Sequence, residues 1–208
     1  RKNWEDNPAT QNTAETRAQM EDCLEALQKQ VDTGNIRHFG LSNESAWGAA
    51  QWLRLSEDRG LPRVATMQNE YSLLCRLYDT DLAELSVNEE VGLIAFSPLA
   101  AGLLTGKYQD SVTPAGSRKT FTADLGGRTT QRVWPAVDAY SQIAAKHEVD
   151  IVHMSLAWCL TRPFMCSAIF GATRHAQLEH ILKTNDVVLS AECLADIAEA
   201  HKSHPMPF

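Results

Sequence analysis

Short apolar runs alternate with amphipathic stretches along this chain, and glycine or proline punctuates the junctions. The runs Ile36–Leu41, Val64–Gln68, Val91–Phe96 and Ser167–Phe170 have the length and composition of buried strands. Between them the spacing is helical. Asn12 with Glu15 fits a capping box, Met20, Leu24, Leu27 and Val31 recur at helical intervals, and Gly34 stops the helix. Ala46 to about Asp58 is amphipathic, with Ala49, Ala50 and Leu53 turned to the core and Gly60 and Pro62 closing it. Asp79–Val87 puts Leu82 and Leu85 inward. Further helices are predicted over Thr129–His147, over Val152–Leu160 with Pro163 beyond it, over Gln177–Lys183 and over Glu192–His201. Residues 1–12, polar and carrying Pro8, read as a loop. Residues 109–128 hold Pro114, glycines and many hydroxyl and charged side chains, a long loop of the sort that is usually functional or disordered. Strands alternating with helices predict an α/β fold with a parallel sheet and right-handed crossovers.

Composition narrows the class. The chain has 208 residues, 44% of them hydrophobic and 22% charged, enough for one domain with a real core, so residues 1–208 are expected to form a single domain. No apolar run approaches the roughly 18 residues of a membrane span. The net charge of -7 and scattered basic residues argue against a nucleic-acid surface. Five cysteines without a CxxC pair read as reduced thiols of a cytoplasmic protein. His201 and His204 form an HxxH without a third ligand nearby, so a solvated tail is expected there and no metal site.

The candidate chemistry lies just after the strands. In parallel α/β sheets the ligand sits beyond the carboxyl ends, which here carry Ser42-Asn43, Gln68-Asn69, Phe96-Ser97 and Gly171-Ala172-Thr173. The richest stretch is Ala95-Phe-Ser-Pro-Leu-Ala-Ala-Gly-Leu-Leu-Thr-Gly-Lys-Tyr108. A strand ends in an aromatic, proline halts it, small residues allow close backbone approach, and Lys107 adds one cation. That combination suits a flat ring and a phosphate. Each position also has a plain reading: Phe96 continues an apolar run, and Arg118 alone is a solvated charge. Thr173, Arg174 and Gln177 open a predicted helix, whose first turn favours anions. Rival motifs are missing. There is no GxGxxG and no GxSxG, and Gly102–Lys107 is one residue short of a P-loop with Tyr108 where a hydroxyl is needed for magnesium.

Four ordered segments resemble the aldo-keto reductases, in the branch that includes Tas-like reductases and potassium-channel β subunits. Gly34–Asn43 looks like the fifth strand of that family, Val64–Leu74 the sixth, Ala95–Tyr108 the seventh, and Ala168–Arg174 with Gln177 the eighth. The resemblance implies a partial TIM (β/α)8 barrel, about its C-terminal four βα units. It also implies NADP(H) as cofactor and a small-molecule carbonyl as substrate. By position, Ser42, Asn43 and Gln68 would hold the nicotinamide amide and Phe96 would stack on its ring. Ser97, Pro98, Leu99, Gly102 and Lys107 would follow the pyrophosphate. Arg118, after Pro114-Ala-Gly-Ser, would close over it. Gly171, Thr173, Arg174 and Gln177 would grip the adenosine end, with Arg174 favouring NADP. The family commonly has Glu-Asn where this chain has His180-Ile181.

The family's catalytic Asp, Tyr, Lys and His belong to earlier strands and find no match here. With four strand candidates, a start at Arg1-Lys-Asn-Trp, and a complete barrel needing about 250 residues, the chain is expected to be the C-terminal portion of a longer protein. Three readings stay open: an NADPH-dependent reductase of aldehydes or ketones, a cofactor-binding regulatory subunit, or an inactive half-barrel. An isolated half exposes sheet edges, and association into a homo-oligomer is one way to cover them.

Overall fold

The computed structural model describes residues 10–208. It contains four strands, β1 (Phe39–Ser42), β2 (Val64–Glu70), β3 (Gly92–Phe96) and β4 (Met165–Ile169), and seven α-helices: α1 (Thr13–Asp32), α2 (Ala46–Arg59), α3 (Leu82–Asn88), α4 (Val133–Lys146), α5 (Ile151–Leu160), α6 (His175–Leu182) and α7 (Ala191–Ser203). The strands form one sheet in the order β1-β2-β3-β4. β1 and β2 run parallel, with Ser42 opposite Gln68 and a bulge between Phe39 and Gly40. Gly40 is a close-approach glycine: a Cβ there would lie 2.8 Å from the Thr66 carbonyl oxygen. The chain divides into two compact units. One holds residues up to Asn69 together with Asp79–Ile94, the other Glu70–Tyr78 and Ala95–Phe208.

In the first unit the expected caps are present. The Asn12 side chain accepts from the Glu15 backbone N–H at 3.2 Å, and Gly60 ends α2 in the left-handed conformation at φ 64°. Met20 and Leu24 of α1, Leu53 of α2, Met67 of β2 and Leu93 of β3 are buried. Two expectations need correction. Ala50 is exposed, because the inward stripe of α2 runs Ala49, Leu53, Ser56, and at 3.6 residues per turn position 50 is rotated off it. β1 begins at Phe39 rather than Ile36. Of the loop expected over 1–12, residues 1–9 lie outside the described residues.

The core of the second unit is aromatic. Tyr71 stacks on Trp158 with centroids 5.2 Å apart and meets Phe164 edge-on. The Arg76 guanidinium lies 4.2 Å over the Trp158 ring. The buried Tyr140 hydroxyl donates to the Leu73 carbonyl at 3.1 Å. Tyr71 is thus a packing residue of the core. β3 is followed not by a single helix but by short 3-10 turns over Ala100–Thr105, Gln109–Ser111 and Arg118–Thr120, then by α4 and α5. The long loop is held at its end by Arg128, whose Nη2 and Nε donate to the two Glu70 carboxylate oxygens at 2.7 and 2.9 Å. Arg128 also donates to the Leu125 carbonyl at 2.8 Å and faces the Phe208 ring at 5.7 Å. The Thr130 hydroxyl donates to the Pro207 carbonyl.

Candidate functional site

A cleft of about 780 Å³ opens in the second unit beyond the carboxyl ends of β3 and β4. Its apolar floor belongs to the cluster of Val152, Leu156 and Ile181, against which Leu99, Ala168 and Phe170 pack. One wall is the turn after β3, where Ser97, Pro98, Leu99 and Gly102 lead to Lys107. This backbone is unusual. Ser97, Ala100, Ala101 and Gly102 all have positive φ, at 52°, 47°, 56° and 96°, and such left-handed turns gather N–H groups into anion-binding concavities. Glycine is required at 102, since a Cβ at φ 96° would also crowd the Lys107 ammonium at 3.1 Å.

The opposite wall comes from the start of α6 and the chain before it, with Gly171, Thr173 and Gln177 lining the cleft. The Gln177 carboxamide oxygen accepts from the backbone N–H groups of Thr173 and Arg174 at 3.0 and 3.2 Å. It therefore occupies donors of the α6 N-terminus that an anion would otherwise use. The lip is the long loop, which contributes Ser117, Arg118 and Phe121. Phe121 is 84% exposed, an aromatic held in solvent beside the opening. Ser117 Oγ is buried with no hydrogen-bond partner, a polar atom that a bound ligand would satisfy. Neither Lys107 nor Arg118 has a carboxylate partner among the described residues. Lys107 instead lies 5.0 Å over the Tyr108 ring.

Nine of the residues named in the sequence line this one cleft: Ser97, Pro98, Leu99, Gly102, Lys107, Arg118, Gly171, Thr173 and Gln177. Arg174 is exposed one position beyond Thr173 and is not part of the lining. Phe96 is half-buried at the end of β3, also off the lining. Ser42, Asn43 and Gln68 belong to the first unit and lie together there. The Asn43 N–H donates to the Gln68 carbonyl at 2.9 Å, and the Asn43 carboxamide donates to Ser42 Oγ at 3.2 Å. Ser42 also borders a separate cleft of that unit, of about 640 Å³, together with Gln19, Cys23 and Trp52.

Sequence reasoning missed Ser117, Phe121, Asp150 and Val152. Ser117 closes the Pro114-Ala-Gly-Ser stretch just before Arg118. Asp150 shows in sequence only as a helix cap, and its place on the cleft depends on how α5 packs against α6.

Residues 4–202 match the model of the aldo/keto reductase family. The chain belongs to the aldo/keto reductase family. It is similar to the protein tas of Escherichia coli strain K12, at 39% identity over 186 residues, covering 89% of this chain and 54% of that protein. An aldo-keto reductase of Babesia bovis is 36% identical over 76% of this chain and 58% of its own. A probable voltage-gated potassium channel subunit beta of Arabidopsis thaliana is 32% identical over 89% of this chain and 58% of its own. This aldo/keto reductase family member thus spans about half the length of the curated relatives it matches.

Proposed function

We propose that this chain carries the dinucleotide site of an NADPH-dependent oxidoreductase that reduces small aldehydes or ketones. The observation that supports this best is the convergence of the turn after β3, the long loop and the start of α6 on one cleft that offers two cations without carboxylate partners and a buried hydroxyl without a hydrogen-bond partner. In this reading the positive-φ turn and Lys107 take the pyrophosphate, Arg118 and Ser117 close over it, and Thr173, Arg174 and Gln177 hold the adenosine end. By the resemblance, Ser42, Asn43 and Gln68 would take the carboxamide, and Phe96 would lie against the ring. The bound nicotinamide would supply the hydride. This chain's part in the reading is to bind and orient, while the proton for the carbonyl would come from the acid residues that the family resemblance implies.

The sheet in this reading is about the C-terminal four βα units of a (β/α)8 barrel. β4 supports it: Cys166, Ser167 and Ile169 are exposed along an apolar strand, as expected of a surface built to be covered. Among the described residues no helix is long and apolar enough to cross a membrane. None of the five cysteines is in a disulfide, which suits the reducing cytoplasm.

Fluorescence titration with NADPH and NADH tests the cofactor. NADPH is expected to bind more tightly, and Arg174→Ala is expected to remove that preference. An equal loss for both dinucleotides would remove the 2′-phosphate assignment from Arg174. Absence of binding by either would overturn the proposal for this chain.

A further inference from the structure

Asp150 caps α5, its Oδ1 accepting from the backbone N–H groups of Val152 at 2.8 Å and His153 at 3.2 Å. His153, three residues on, stands over the same end of the helix. α6 brings in His180, whose Nε2 is 3.2 Å from Asp150 Oδ1. The two imidazole rings are 4.5 Å apart, tilted by 32°. One donor atom from each of the three residues falls within 4.8 Å of the others.

We propose that Asp150, His153 and His180 form a binding site for a divalent transition-metal ion of the zinc class. Two imidazoles and a carboxylate are the donor set that such ions prefer over magnesium or calcium. An Asp–His ion pair alone would need no second ring. The supports around the donors are those of a ligand set. His153 Nε2 donates to the His180 carbonyl at 2.7 Å, which fixes the ring and leaves the lone pair on Nδ1. The two backbone N–H groups fix the Asp150 carboxylate. A tetrahedral zinc ion spaces its donors about 3.3 Å apart, so small side-chain rotations close the set. Asp150 is exposed, which gives the ion an entry path. Asp150 and His180 also line the cleft, so the remaining coordination positions face water or an anionic ligand. The site stands on the packing of α5 and α6 and does not depend on the dinucleotide reading. Its residues escape a motif search because His180 comes from a different helix.

The test is titration of the full chain, stripped with chelator and free of dinucleotide, with Zn²⁺ by calorimetry and with Co²⁺ by visible absorption. One equivalent should bind with Kd of about 10 μM or tighter, with the Co²⁺ bands of a four- or five-coordinate N/O site. His153→Gln and His180→Gln should each weaken binding by about tenfold or more. His153→Gln keeps a donor for the His180 carbonyl, so the helix packing survives, and circular dichroism verifies the fold. Cys166→Ser and Cys23→Ser, which remove the exposed thiols, should leave binding unchanged. Absence of a one-equivalent event, or a Kd that the two histidine variants do not move, would overturn the site.

Discussion

At the residue scale the cleft is defined by groups whose ordinary partners are absent. Among the described residues Lys107 and Arg118 line it without carboxylate partners, and Ser117 lines it with a buried hydroxyl unpaired. Lys107→Met and Arg118→Ala should each lose about 1.5–3 kcal/mol of NADPH binding, roughly 10- to 150-fold in Kd. Ser117→Ala should cost less, since a neutral hydrogen bond contributes about 1 kcal/mol. Fluorescence titration reads all three, and unchanged affinities would place the phosphates elsewhere. The core offers a separate check. Tyr140→Phe leaves the Leu73 carbonyl unpaired, so it should destabilise the chain by about 1–2 kcal/mol in urea unfolding. Lys107 was visible in the sequence as a lone cation after a strand, and Arg118 only through the resemblance carried by Pro114-Ala-Gly-Ser-Arg118. Asp150 was not, and His180 showed only as a departure from the family's Glu-Asn, because nothing in their local spacing shows that α5 and α6 bring them together.

At the element scale the long loop is folded rather than loose, with short 3-10 turns and a bidentate anchor at its end. The Arg128 and Glu70 side chains are only 15% and 22% exposed, so breaking the pair leaves a charge largely out of water. Arg128→Ala should cost about 1–3 kcal/mol of stability and make residues 109–128 more open to limited proteolysis. A variant as resistant as the parent would show that the anchor is dispensable. α4 and α7 are tied by Asp196, which accepts from Lys146 and meets His147, each at 2.6 Å. The hydrogen bond from Lys146, and then that with His147, hold its carboxyl below the usual carboxylate range. A depressed folded pKa contributes stability at pH values above the unfolded pKa. That contribution fades as pH falls through the folded one. Urea midpoints of the parent and Asp196→Asn should therefore differ at pH 5–7 and converge toward pH 2–3. A constant difference would exclude the linkage. Most elements were legible because period and punctuation agree: Gly60 ended α2, and the Val91–Phe96 run became β3. The errors came where sequence is locally ambiguous. Ile36 is a strand former but is followed by Arg37-His38 and lies before the paired residues, and Ala50 is small enough for either face.

At the scale of the whole molecule, the thiols and the sheet make two predictions. Cys75, Cys159 and Cys193 are buried while Cys23 and Cys166 are exposed. Burial, with the Glu70 charge, pushes the Cys75 thiol up to about 11, which suppresses the reactive thiolate. Brief maleimide treatment at pH 7 should label two cysteines in the native chain and five in denaturant, by mass spectrometry. Labelling of Cys75 in the native chain would show that its surroundings open readily. The half-barrel reading predicts that the chain alone is marginal or self-associates, since exposed strand surface seeks cover. A sharp, monomeric, cooperative melt would count against that reading. The α/β class could be read from alternation alone, and the family from four ordered segments. The division into two compact units could not, because its limits fall inside β2, inside β3 and in the short turn Leu77–Asp79, where no linker composition marks a boundary. The last two residues have a practical consequence. Pro207 takes the Thr130 hydroxyl and Phe208 covers Arg128, so residues 207–208 bolt down the stem of the loop that edges the cleft. Replacing Thr130 by Val and Phe208 by Ala would unlatch it, and a fluorophore on that loop would report the change as increased mobility without any change to the residues that line the cleft.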